Sequence, residues 1–155
     1  AFKKYPNEFS HYHQNEIGYA YFQDFIPNNH FDIRVIAIDG KAFAVKRIVR
    51  KDDFRASGSG NMHYDKAEIP EACVRISFDV AKKLQSQSAA LDFVFDAEGK
   101  PSIVEISYGF TTSCYDACPG YWTDDMQWHE GPFNPQTWMV DEVVKAVENG
   151  GGIIG

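Results

Sequence analysis

The fold is decided first by residues 33 to 45, which read IRVIAIDGKAFAV. Two runs rich in β-branched and other apolar residues, 33–38 and 42–45, flank the dipeptide Asp39-Gly40. Such a dipeptide suits a type I′ turn, in which both central residues have a positive φ. The stretch therefore predicts an antiparallel β-hairpin within residues 32 to 49.

A second hairpin is predicted further along the chain. Residues 90–95 (ALDFVF) and 102–107 (SIVEIS) have the composition of strands, and turn-forming residues separate them. If Phe95 faces Ser102 across the turn, counting back along both strands places Asp92 opposite Glu105. Ser107, two residues beyond Glu105, then projects from the same face.

Two helices are predicted beside the hairpins. Pro70 suits the first turn of one helix, and residues at steps of three and four predict its buried stripe: Cys73, Ile76, Val80 and Leu84. The other helix is predicted over residues 138–149, with an apolar face of Met139, Val143, Val144 and Val147.

The remaining segments complete the prediction of fold class. Residues 19–26 have the composition of a further strand, whereas residues 108–135 predict a long ordered loop rich in Gly, Pro, Trp, Tyr and Asp. Hairpins beside helices predict an α+β fold, with an antiparallel sheet of hairpins and packed helices. We expect residues 1–18 to be an unassigned leader, 19–149 the domain and 150–155 a flexible tail of a piece from a longer protein.

The composition favours some classes of partner over others. The 155 residues carry a net charge of −7, which argues against nonspecific binding to nucleic acid. No apolar run approaches the ~20 residues that a membrane helix needs, so no membrane partner is predicted. Three cysteines are an odd number, and reduced thiols in the cytoplasm are the simplest interpretation.

The strongest chemical signal is the predicted pairing of Asp92 with Glu105. Like charges directly opposed across two strands repel each other. A proton, a cation or open water must relieve that repulsion. Magnesium commonly uses one or two carboxylates and completes its shell with water and substrate phosphates. Spacing alone leaves two interpretations open, a metal site and a solvated strand face.

A basic segment follows the first strand. Nearly half of all Lys and Arg residues lie between Arg34 and Arg55, a local reversal of sign in an acidic chain. Lys46 and Arg47 point to opposite faces of one strand, so they cannot both serve one site. The segment, with the glycine-rich residues 57–61, is compatible with phosphate binding and equally with ordinary surface charge.

Five short motifs in order resemble the second half of an ATP-grasp enzyme, in particular the ligase that adds glutamate to a ribosomal protein and glutathione synthetase. The resemblance covers roughly residues 19 to 110. The motifs are Gln23-Asp24-Phe25-Ile26, Asp32-Ile33-Arg34, Asp53-Phe54-Arg55-Ala56-Ser57, Leu91-Asp92 and Val104-Glu105-Ile106-Ser107.

The resemblance implies roles for single residues. Asp24 and Phe25 would form the hinge that bonds the adenine edge, and Asp32 would stand in the nucleotide site. Arg34 and Arg55 would contact phosphate or acyl-phosphate oxygens. Asp92 and Glu105 would bind Mg²⁺, for which Mn²⁺ can substitute. Ser107 and Ser57 stand where the family usually has Asn, which shortens one implied metal ligand and one nucleotide-site side chain.

The resemblance also implies an activity and partners. ATP would convert a small-molecule carboxylate to an acyl phosphate, and an amine would displace phosphate. The aromatic residues between Tyr115 and Trp128, rather than the resemblance, make a sugar-linked amine a candidate. The N-terminal remainder of the same protein would cover the nucleotide, so this piece alone is expected to be inactive. Two alternatives stay open, a noncatalytic nucleotide-binding regulatory module and a kinase-like enzyme that stops at phosphoryl transfer.

Two features outside the resemblance have interpretations of their own. Cys114, Cys118 and His129 could belong to a zinc site, although no fourth ligand is evident, and ordinary thiols are the alternative. The aromatic residues between Tyr115 and Trp128 either line an acceptor pocket or pack against the closing helix.

Overall fold

The first hairpin forms as its sequence predicts. The computed structural model describes residues 22–50, 56, 58–111 and 113–149. Strands β1 (Phe31–Ile38) and β2 (Lys41–Ile48) pair antiparallel from Phe31 opposite Ile48 to Ile38 opposite Lys41. Asp39 and Gly40 have φ of 45° and 69°, the left-handed values that a type I′ turn requires.

Five further strands and two helices follow. In chain order they are β3 (Met62–His63), α1 (Glu71–Leu84), β4 (Ser88–Phe95), β5 (Pro101–Ser107), β6 (Gly120–Thr123), β7 (Trp128–Glu130) and α2 (Pro135–Glu148). The strands form one antiparallel sheet in the order β5-β4-β1-β2-β6-β7, and β3 pairs with β2 beside this path. The predicted α+β architecture is confirmed.

The second hairpin reaches the predicted pairing by an irregular route. Phe95 lies opposite Pro101, one residue away from the predicted partner Ser102. A bulge between Asp92 and Phe93 adds one residue to the β5 side, so Asp92 still lies opposite Glu105. The pairing of the two acids is confirmed, and the assumed register beside the turn is wrong.

Helix α1 covers one face of the sheet. Cys73 and Val74 are buried in a core with Ile33, Val35 and Leu91. The predicted stripe is correct at Cys73 but wrong at Leu84, which is 56% exposed. The buried face is instead rotated toward Val74 and Ser77, and the hydroxyl of Ser77 donates to the carbonyl of Cys73 at 2.8 Å, which satisfies a buried polar group.

The opposite face carries an aromatic core. Phe43 contacts Tyr115, Phe133 and Trp138, with ring centroids 5.1–6.2 Å apart. Helix α2 begins at Pro135, three residues before the predicted start, because the Asn134 side chain accepts from the backbone N–H of Thr137 as an N-cap.

The predicted apolar face of α2 is only partly buried. Met139 packs against the aromatic core. Val143, Val144 and Val147 are 39%, 47% and 54% exposed, so the other described residues cover this part of the apolar face only partly. Asn149 occupies the C-cap position of α2.

Two other predictions need correction. The segment predicted as one loop, 108–135, contains the β6–β7 hairpin, which extends the sheet beside β2. Residues 22–26 of the predicted strand are not in a strand, and residues 19–21 lie outside the described part, as do the leader 1–18 and the tail 150–155. No helix in the described ranges combines the length and apolarity needed to cross a membrane.

Candidate functional site

A cleft of about 670 Å³ opens where the segment before β1 passes over the ends of β1, β2, β4 and β5. It brings together five residues predicted from sequence, and these are Asp24, Phe25, Asp32, Asp92 and Glu105. Arg47 and Ala56 also line it, whereas Arg34 and Ser107 stand outside its lining. Arg55 and Ser57 flank Ala56 in sequence but are not among the described residues.

The segment before β1 is held over the sheet by Asn29. Its side chain accepts from the backbone N–H of Phe95 at 2.7 Å and donates to the Phe95 carbonyl at 3.0 Å. The amide of Gln23 reaches the carbonyl of Val104, beside the bulge, at 3.4 Å. The side chains of Gln23 and Asn29 thus place Asp24 and Phe25 at the mouth of the cleft.

An ion-pair network forms the floor. Register places Arg34 opposite Asp92 and Asp32 opposite Arg47, so four side chains of one face meet. Arg34 forms a fork on Asp92, with Nε–Oδ1 at 2.6 Å and Nη2–Oδ2 at 2.7 Å. Arg47 forms a fork on Asp32 at 2.7 and 2.6 Å, and its Nη2 also lies 2.8 Å from Asp92 Oδ2.

Burial of this network changes the pKa values of its charged groups. Arg47 and Asp92 are each 5% exposed. Desolvation raises the pKa of the Asp32 carboxyl and outweighs the opposing hydrogen bond from Arg47. The hydrogen bond to Asp92 raises the pKa of Arg34. Burial lowers the pKa of Arg47, but the hydrogen bond to Asp32 and the charge of both acids reverse this effect, so its pKa is also raised.

Glu105 differs from the buried pairs. It is exposed, and it forms no ion pair with another described residue. The Ser107 hydroxyl donates to the carbonyl of Gly109 at 2.8 Å and accepts from the Gly109 N–H at 3.2 Å. The turn after β5 therefore engages the side chain that the resemblance implies as a third metal ligand.

The donor set suits a magnesium ion that shares its ligands with a substrate. Within the described ranges no three His, Cys, Asp or Glu side chains cluster to hold a metal. Asp92 and Glu105 supply two carboxylates on neighbouring strands, and Mg²⁺ usually takes its other ligands from water and phosphates. These two residues would hold the ion.

The described residues do not support the zinc interpretation, because no three His, Cys, Asp or Glu side chains cluster among them. Cys118 is buried, with its Sγ 3.6 Å from the carbonyl of Ala44, and the ring of His129 stacks on Tyr121 at 5.0 Å. The aromatic residues Tyr115 and Trp122 are 5% and 2% exposed and pack inside the protein.

Arg47 is the functional candidate that the sequence prediction missed. A two-residue turn at Asp39-Gly40 fixes the register of the hairpin, and counting from it pairs Asp32 with Arg47. That signal was available in the sequence. The Asn29 and Gln23 contacts had no such signal, since they join segments 66 and 81 residues apart.

Similar structures include two macrocyclases from Microcystis aeruginosa MRC. MdnB shows 18% identity over 58% of this chain and 31% of its own, with a TM-score of 0.43. MdnC, solved with the precursor peptide MdnA, shows 11% identity over 76% and 34%, with a TM-score of 0.47. The chain thus spans about a third of either macrocyclase, and at these values the likeness supports no functional conclusion.

The sequence itself matches a family. No curated protein matches it significantly. The RimK-like ATP-grasp domain, however, matches residues 11–116, well over half of the chain and including every strand that lines the cleft. The chain therefore belongs to the RimK-like ATP-grasp domain family, a family of ATP-binding domains of ligase type.

Proposed function

We propose that this domain binds ATP and Mg²⁺ in the cleft and serves a carboxylate–amine ligase that works through an acyl phosphate. One observation carries the proposal. Asp92 and Glu105 lie opposite each other in the cleft that Asp24 and Phe25 overhang. Asp92 and Glu105 could bind a metal ion together with the phosphates of a nucleotide whose adenine lies against Asp24 and Phe25.

Each part of the cleft has a proposed role. The backbone at Asp24 and Phe25 bonds the adenine edge, and Asp32 with Arg47 forms part of the floor. Arg34 orients Asp92 through its fork. Arg55 and Ser57 remain candidates for contacts to phosphate, since Ala56 between them lines the cleft. When bound, Mg²⁺ would neutralise charge on the phosphate oxygens.

The proposed reaction has two steps. A carboxylate oxygen attacks the γ-phosphorus, the bond to the bridging oxygen breaks, and ADP leaves. An amine then attacks the acyl carbon, the carbon–oxygen bond to phosphate breaks, and the nitrogen loses a proton as phosphate departs. The chain contributes positioning and charge neutralisation and need not supply a general base.

The partners form part of the proposal. The N-terminal remainder of the same protein would cover the phosphates, as the resemblance to ATP-grasp enzymes implies. The small-molecule carboxylate and amine would enter at that boundary. A sugar-linked amine has no support from Tyr115 or Trp122, which are buried.

Manganese binding tests the site directly. EPR would follow Mn²⁺ with and without ADP in the wild-type chain and in the Asp92→Asn, Glu105→Gln double variant. We expect binding that ADP strengthens in the wild type and that the variant loses. Equal binding by both proteins, or binding by neither, would reject the carboxylate pair as a metal site.

Two further variants sharpen the result. Glu105→Gln alone leaves the buried ion pairs intact, because Glu105 is exposed, and it should still weaken the Mn²⁺–ADP complex. The control for the Asp92, Glu105 double variant is Glu71→Gln with Asp79→Asn. It removes the same formal charge from two exposed acids of α1 and should leave Mn²⁺ binding unchanged. Loss of binding in that control would indicate a general effect of charge.

A noncatalytic nucleotide-binding role is the second candidate, and the Ser107 contacts favour it. Residue 107 is a serine, so the third ligand position has no amide oxygen, and its hydroxyl already bonds Gly109. Turnover by the longer protein would exclude this role. Release of ADP that requires an amine would indicate a ligase, whereas release without one would indicate a kinase-like enzyme.

A further inference from the structure

Arg47 connects two acids of the cleft floor, Asp92, which is buried, and Asp32, which is half-buried. Its guanidinium bonds both oxygens of Asp32 and, through Nη2, one oxygen of Asp92. The side chain is almost fully buried, yet it lines the same cleft as Glu105. It therefore already neutralises a carboxylate that the proposed metal would use.

The contacts of Asp92 with its two arginines are unequal. Arg34 holds both oxygens of Asp92 in a fork, whereas Arg47 holds only Oδ2 and holds it with one N–H group. A metal bound to Asp92 at ~2.0–2.1 Å would lie close to both guanidinium groups, and like charges repel at such separations. Arg47 can leave Asp92 and keep both bonds to Asp32, so its contact is the one that can open.

Resting on the function proposed above, we infer that Arg47 is a further nucleotide-binding residue that exchanges partners. Without metal, its guanidinium neutralises Asp92. When a divalent cation binds Asp92, Arg47 keeps its bidentate salt bridge with Asp32 and rotates toward the phosphates. The phosphates supply the anion that Arg47 loses at Asp92, and so metal and nucleotide enter the cleft together.

Removal of Arg47 then has opposite effects on the two ligands. In Arg47→Gln only Arg34 still neutralises Asp92, so Mn²⁺ alone should bind about tenfold more tightly. The phosphates lose a cation, so ADP should bind the Mn²⁺-loaded protein about tenfold more weakly. EPR titration of Mn²⁺ and fluorescence titration of ADP measure these two constants.

Lys46→Gln is the matched control. It removes one positive charge from the neighbouring residue, whose side chain lies on the other face and pairs with Glu68 at 2.6 Å. Both constants should stay at their wild-type values. Circular dichroism would establish that each variant is folded. If Arg47→Gln does not fold, Arg47→Lys replaces it, since one ammonium cannot hold both acids and free Mn²⁺ should again bind more tightly.

The outcomes separate this inference from the proposed function. The partner exchange would be overturned if the wild-type chain binds ADP with Mn²⁺ but both affinities fall in the Arg47 variant, or neither changes. The proposed metal site would remain supported in that case. Wild-type chain that binds neither Mn²⁺ nor Mn²⁺–ADP would overturn both.

Discussion

Asn29 pairs with Phe95 as a short extension of the sheet. Its side chain satisfies both backbone groups of Phe95, which lies opposite Pro101 in β5. The pairing of β1 with β4 ends at Ile33 opposite Phe93, so Phe95 has no strand partner on that side and Asn29 takes its place. This contact fixes the segment that carries Asp24 and Phe25.

Asn29→Ala should therefore lower both stability and nucleotide affinity. Two partly buried backbone groups lose their partners, which costs about 1–3 kcal/mol. Urea unfolding would measure this cost and ADP titration the affinity. Asn61→Ala is the control, because among the described residues the backbone of Asn61 forms hydrogen bonds and its side chain forms none. Equal stability of the two variants would contradict the role of Asn29.

The acid at the centre of the ion-pair network should dominate stability. Asp92→Ala leaves Arg34 without its partner and removes one of the two acids that neutralise the buried Arg47, so it should cost about 3–5 kcal/mol in urea unfolding. Glu71→Ala breaks an exposed pair with Arg75, at 3.6 Å, and should cost less than about 0.5 kcal/mol. Similar costs would show that water already solvates the Asp92 network.

The β6–β7 hairpin should tolerate no side chain at Gly120. A Cβ there would lie 2.6 Å from the Trp128 ring and closer still to the backbone carbonyl of His129. Gly120→Ala should destabilise the domain by about 1–3 kcal/mol and alter the near-UV circular dichroism of the Trp122–Trp128 pair. At Gly109 a Cβ meets nothing within 4 Å, so Gly109→Ala should unfold like the wild type.

The thiols should differ in reactivity. Burial raises the pKa of Cys73 and Cys118 to about 12, so at pH 8 only about one in ten thousand is a thiolate, and this fraction rises tenfold per pH unit. Cys114 is half-buried. Ellman's reagent should label one thiol quickly in native protein and all three in denaturant. Three fast thiols in native protein would contradict the buried positions.

Sequence patterns were sufficient for the strongly periodic elements. Asp39-Gly40 determined the first hairpin, and from it Asp32 opposite Arg47 follows by counting. The second hairpin was also predicted, but its bulge was not, because Val104 differs in no visible way from its apolar neighbours. The predicted register beside the turn was wrong by one residue, and the bulge compensates for that shift, so Asp92 still pairs with Glu105.

Other features depend on tertiary packing and leave little mark on the sequence. β6 and β7 have four and three residues, and the turn between them uses Met126 at φ 66°, a residue that rarely signals a turn. The rotation of α1 toward Ser77 was hidden because serine reads as polar, although its hydroxyl is satisfied within the helix. Asp24 and Phe25 could be placed in the cleft only from family resemblance.

The pairing of β1 with β4 also determines when the cleft can form during folding. One local hairpin supplies Asp32, Arg34 and Arg47, and the other supplies Asp92 and Glu105. Isolated hairpins close within microseconds, whereas their docking must first overcome the entropy of a longer loop. The hydrogen bonds from Arg34 and Arg47 to Asp92 join the two hairpins. The ionic floor is therefore assembled at the docking step, and weakening it should chiefly accelerate separation of the two hairpins.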